Sequence, residues 1–132
     1  MHKSLLLVGA LALPLVNGCS NPAEERATDA IAILKGIADE LATVKDAASA
    51  EAAKPRLAEL GERWRANERK LSQQKLPPTS ELAELEKKYG AQLESAMKRY
   101  EAEVARVKRV EGCDIALQAL GDVRRQHHFR KK

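Results

Sequence analysis

Lys75-Leu76-Pro77-Pro78-Thr79-Ser80 decides how this chain folds. Two consecutive prolines lack N–H donors and hold φ fixed, so a helix arriving from the N-terminal side has to stop there. Thr79 and Ser80 are residue types that cap helices, and Glu81 and Glu84 bring negative charge to a first turn, so a new helix is expected directly afterwards. Downstream, Leu82, Leu85, Tyr89, Leu93, Ala96/Met97, Tyr100, Val104 and Val107 keep helical spacing. That seam predicts a helix from about Glu81 to Val110, on the order of 45 Å long, with Gly90 interrupting it without ending it.

Upstream of the break, Ala53, Leu57, Leu60, Trp64 and Leu71 form a second one-faced pattern, predicting a helix from about Ala50 to Gln74 capped by Ser49. Pro55 either bends this helix in its second turn or starts it after a short turn at 49–54. Before that junction, Asn21-Pro22-Ala23-Glu24 reads as an N-terminus: Asn as cap, Pro at the first position, Glu at the third. Ala27, Ile31, Leu34, Ala38 and Leu41 follow as a stripe that Ala30, Ile33, Ile37 and Val44 widen, predicting a helix to about Ala47. Arg26, Asp29, Lys35, Asp39 and Lys45 are expected off that stripe, and Gly36 suits a close helix–helix approach. So short a junction folds the two helices back as an antiparallel hairpin.

After Val110, Glu111-Gly112 reads as a C-cap, and Asp114 as the cap of a short helix, Ile115 to Leu120, closed by Gly121. Its apolar Ile115, Leu117 and Leu120 are expected to fold onto an end of the bundle. Strand-like alternation is missing throughout. The expected fold is all-α: an elongated antiparallel helical hairpin or three-helix bundle with a short C-terminal helix and a basic tail. Expected boundaries are 1–18 for a signal peptide, 19–22 for a lipidated linker, 23–121 for the helical domain and 122–132 for a disordered tail.

Composition agrees with thin Ala/Leu seams: only 3% of residues are aromatic. Trp64 and the tyrosines, at helical spacing, read as core. The formal charge of +4 is uneven, because residues 19–121 carry 17 Lys/Arg against 18 Asp/Glu. The excess belongs to Arg124, Arg125, Arg130, Lys131 and Lys132, a cluster suited to anionic membrane surfaces or polymers.

The N-terminus carries a different signal. Met1-His2-Lys3 precedes an apolar run of 12 residues, Leu5 to Val16, which is too short for a membrane-spanning helix of about 18 or more. The run closes on Val16-Asn17-Gly18-Cys19, which resembles the lipobox of bacterial lipoproteins. That resemblance implies a Cys19 thiol that is diacylated and then becomes the mature N-terminus. Stable anchoring takes more than one chain, at about 0.8 kcal/mol per buried CH₂. Ser20 resembles the residue of outer-membrane lipoproteins rather than the aspartate of inner-membrane retention. Val44-Lys45-Asp46-Ala47-Ala48-Ser49 through Leu57, with the Pro-Pro break and the Lys88-Tyr89 helix, resembles small uncharacterised bacterial secreted helical proteins. That second resemblance implies export and a helical hairpin, and no catalytic residues.

Catalytic and metal motifs are missing from the sequence. There is no Glu-x-x-His, His-Glu-x-x-His or Cys-x-x-Cys, and no Gly-rich phosphate loop. Ser49 and Ser80 read as caps. His127-His128, in the tail, reads as nonspecific. Cys113, left without an intrachain partner if Cys19 is acylated, reads as a small buried or half-buried side chain, with an intermolecular disulfide or a reactive thiol as the alternatives. The sequence therefore leads to a non-enzymatic, lipid-anchored envelope protein without cofactor or metal, a structural or protein-interaction module. Its expected partners are the membrane through Cys19, an envelope protein or anionic polymer, and no nucleic acid. An Ala-rich seam also allows homo-oligomers. The alternative is a binder of anionic surfaces through the basic tail.

Overall fold

The computed structural model describes residues 21–123, which form four helices and no strand. They are α1 (Pro22–Ala42), α2 (Ala47–Gln73), α3 (Thr79–Lys108) and α4 (Asp114–Leu120). The all-α bundle with a short C-terminal helix is thus the observed fold.

The chain runs up, down and up, with α1 between its neighbours. Asp39 meets Arg99 at 2.7 Å, and Arg106 Nη1 reaches Val44 O at 2.8 Å. Successive positions of α1 therefore face successive positions of α3, and the two helices run parallel. α2 returns antiparallel: Leu60 lies over Gly36, and Asn67 lies beside Arg26. This explains why the stripe of α1 is broad. Ala27, Ala30, Ile31, Ile33, Leu34, Ile37, Ala38 and Leu41 are all buried, enough for two packing neighbours. α3 buries its seam at Leu82, Leu85, Ala96, Met97 and Val107, while Leu93, Tyr100 and Val104 are half-buried against the core.

Gly36 lets Leu60 approach closely; a Cβ there would lie 3.2 Å from its side chain. Gly61, which the sequence reading passed over, is needed more. A Cβ there would lie 2.1 Å from Leu120 O, so only glycine lets α4 settle on α2. α4 starts beside Ala47, where Gly112 turns the chain at φ +78°, and ends over Gly61. It buries Ala116 and Leu120, with Ile115 and Leu117 half-buried, and Gly121 ends it at φ +74°.

Several boundaries differ from expectation. α3 ends at Lys108 with Arg109 as C-cap, ahead of Glu111-Gly112, and α4 begins at Asp114 itself with Cys113 at the N-cap position, so Asp114 does not cap it. α1 stops at Ala42, and α2 begins three residues earlier than Ser49 capping would allow. Asp46 is the cap: its carboxylate accepts from Ser49 N at 2.8 Å, while Ser49 Oγ accepts from Asp46 N at 3.0 Å, a reciprocal capping box. Ser49 therefore serves from the third helical position. α2 then runs unbroken through Pro55, whose ring is exposed, so no separate turn occupies 49–54. At the Pro-Pro break, Pro78 itself precedes α3 and its carbonyl accepts from Leu82 N at 3.0 Å. Thr79 and Ser80 fall inside the first turn and cap nothing.

Candidate functional site

Cys19 and the tail cations Arg124, Arg125, Arg130, Lys131 and Lys132 lie outside the described residues, as do His127 and His128. Their neighbourhoods are nonetheless bounded by the residues that lead to them. α1 opens with Asn21 as cap, its Oδ1 accepting from Ala23 N at 3.0 Å. The folded body therefore begins two residues after Cys19. At the other terminus, Gly121 lies beside Arg65 and Val123 is buried.

The end of the bundle where α1 starts is also where the Pro77-Pro78 loop turns, and there the polar chemistry concentrates. Asn21 Nδ2 donates to Glu81 Oε1. Glu24 Oε1 accepts from Lys88 Nζ at 2.6 Å and from the Tyr89 hydroxyl. The Lys88 hydrogen bond, with Tyr89 second, holds the Glu24 carboxyl below the usual glutamate range, and Glu24 in turn raises Lys88. These pairs fasten the start of α1 to the start of α3.

Behind them sits an arginine expected off the core stripe of α1. Arg26 is only 5% exposed, and its Nε and Nη1 have no acceptor among the described residues. Burial alone pushes its guanidinium below the ordinary arginine value. Asn67, 4% exposed, donates from Nδ2 to Arg26 O at 3.2 Å, and its Oδ1 lacks a donor among the described residues. Both positions could have been found from spacing. Arg26 precedes Ala30 by four, on the flank of the α1 stripe, and Asn67 stands between Trp64 and Leu71 on that of α2.

Arg26 lines a small cleft with Ala23, Leu71, Leu82 and Leu85, closed over by Leu76 and Pro77. Its free volume is about 10 Å³, room for one water molecule. Leu76, on the rim, is 55% exposed, the one exposed large apolar side chain among the described residues. An arginine fork at the base of apolar walls can hold an anion whose remainder is apolar.

Cys113 is free and wholly buried, a packing residue of the same core cluster as Val107 and Leu120. Trp64 is likewise wholly buried. Among the described residues no group of three His, Cys, Asp or Glu side chains could hold a metal ion, and no helix is long and apolar enough to cross a membrane. Comparison with family models, curated proteins and solved structures finds no match.

Proposed function

We propose that this chain is a bacterial lipoprotein: a non-enzymatic envelope protein, held at a membrane by acyl chains on Cys19 and presenting a helical rod as a structural or protein-interaction module. The observation that carries the reading is the distance between motif and fold. Val16-Asn17-Gly18-Cys19 closes the apolar run, and Asn21 already caps α1, so Ser20 alone separates the acylated residue from the body. A tether this short keeps one end of the rod against the bilayer. The other end, carrying the α1–α2 turn, stands about 30 Å away along the 21 residues of α1. Ser20 favours the periplasmic face of an outer membrane.

Mass spectrometry of the mature N-terminus tests this directly. The expected peptide begins at Cys19 and carries acyl mass; one beginning elsewhere, or at an unmodified Cys19, would overturn the anchor.

A second reading, binding of anionic surfaces or polymers through the basic tail, draws support from the course of α4. It runs from beside Ala47 to Gly61, so the chain leaves it heading toward the anchored end. From Gly61 to Gln73 is about 18 Å of helix. Residues 124–132 can span up to about 30 Å, so the distal cations Arg130, Lys131 and Lys132 can reach the membrane surface and add to the lipid's hold.

A further inference from the structure

Nothing in the packing of the bundle accounts for Arg26. A guanidinium whose Nε and Nη1 are out of water without an acceptor is costly, and an aliphatic side chain would fill the same space without that penalty. A local rule broken beside a cleft marks a place where a ligand supplies what the fold does not. The chemistry of the place limits the ligand. Planar, forked N–H donors match phosphate oxygens, and Leu71, Leu82 and Leu85 match hydrocarbon.

We propose that the Pro77-Pro78 end of the rod docks on a phospholipid bilayer, with Leu76 in the hydrocarbon boundary and a lipid phosphate on Arg26. The inference rests on the lipoprotein reading for its setting, because acyl chains on Cys19 hold this end at the bilayer. The depths agree. Arg26 stands four residues above Pro22, about 6 Å along the axis. Interfacial side chains enter a bilayer to about 5–10 Å, so Leu76 at the tip can be immersed while Arg26 stays level with the phosphates. The free space in the cleft admits only a water, so seating a phosphate requires the loop to part. Pro77 and Pro78 offer no N–H by which that loop could be pinned.

Nearby carboxylates set which feature of the lipid is read. Glu24 is engaged by Lys88 and Tyr89, and Glu81 by Asn21. Glu25 and Glu84 remain exposed, against Lys75 on the loop. With the local charge so nearly balanced, the phosphate group itself, rather than a net negative surface, is the ligand.

The test uses the mature lipidated protein with an environment-sensitive fluorophore on Leu76→Cys or, as the far-end control, Lys45→Cys. Buried Cys113 escapes labelling under native conditions. The proteins are reconstituted into vesicles of zwitterionic phosphatidylcholine, or into vesicles of uncharged galactolipid. In phospholipid the label at 76 should shift to shorter wavelength and respond to lipid-borne quenchers, while the label at 45 reports water. Galactolipid, or the added substitution Arg26→Met, should lower the inserted-to-free ratio about tenfold, as loss of a charge-assisted hydrogen bond predicts. Arg26→Lys should fall between. A label at 76 that reports water in phospholipid, or inserts equally in galactolipid or with Arg26→Met, overturns the proposal. Co-flotation with vesicles reads the tether separately: flotation without insertion sinks only the docking, and insertion without acyl mass on Cys19 sinks only the anchor.

Discussion

The two ends of the rod bury similar side chains and treat their polar groups in opposite ways. At the far end, α1 has no basic residue in its last turn. Arg106 of α3 supplies the charge instead, donating from Nη2 to Leu41 O at 2.7 Å and from Nη1 to Val44 O at 2.8 Å. Asp46 and Ser49 close the start of α2, and Leu41, Val44, Val107 and Cys113 are wholly buried. At the Pro77-Pro78 end, Arg26 and Asn67 are buried with polar atoms unmet among the described residues, and Leu76 stands in solvent. Two arginines in one bundle thus show the difference between a charge that completes the fold and one the fold leaves open.

Matched leucine truncations give the largest expected contrast. Leu41 is wholly buried at the sealed end, whereas Leu85 keeps 5% exposure beside the cleft. Leu41→Ala should cost about 4–5 kcal/mol and Leu85→Ala about 2–3, because a site open on one side collapses or hydrates more easily than an enclosed one. Chemical denaturation of the two variants measures this, and equal losses would erase the contrast between the ends.

A smaller effect of opposite sign is expected at Arg26. Arg26→Met removes an unpaired buried charge and fills the space with hydrocarbon, and should raise stability by about 1 kcal/mol or more. A fall in midpoint would mean that the guanidinium is satisfied, and the open end would then be closed like the other.

Helix identity and packing faces were legible because they depend on spacing alone: Ile31, Leu34, Leu57 and Trp64 lie in the core where their periods put them. Helix starts were less legible, because a cap is a competition between neighbours. Asp46 and Ser49 are both good caps, and only their reciprocal hydrogen bonds decide the register. Arg26 escapes a reading by polarity: its place on the flank of the α1 stripe is visible in the spacing, but what stands over it belongs to α2, α3 and the loop. Gly61 escaped for a related reason. Its need for no side chain is imposed by Leu120 O, contributed from a distant part of the sequence. The proposed lipidation of Cys19 rests on a sequence motif alone, and Cys19 itself falls outside the described residues.

Native-state hydrogen exchange, resolved by residue, tests the unequal ends most directly. Amides of Ile37–Leu41, Ala53–Trp64 and Ala116–Leu120 should exchange slowest and close to the global unfolding limit. Those of Leu71–Gln73 and Leu82–Leu85, flanking the Pro77-Pro78 loop, should exchange markedly faster. Uniform protection along the rod, or slower exchange at the Pro77-Pro78 end, would contradict the account.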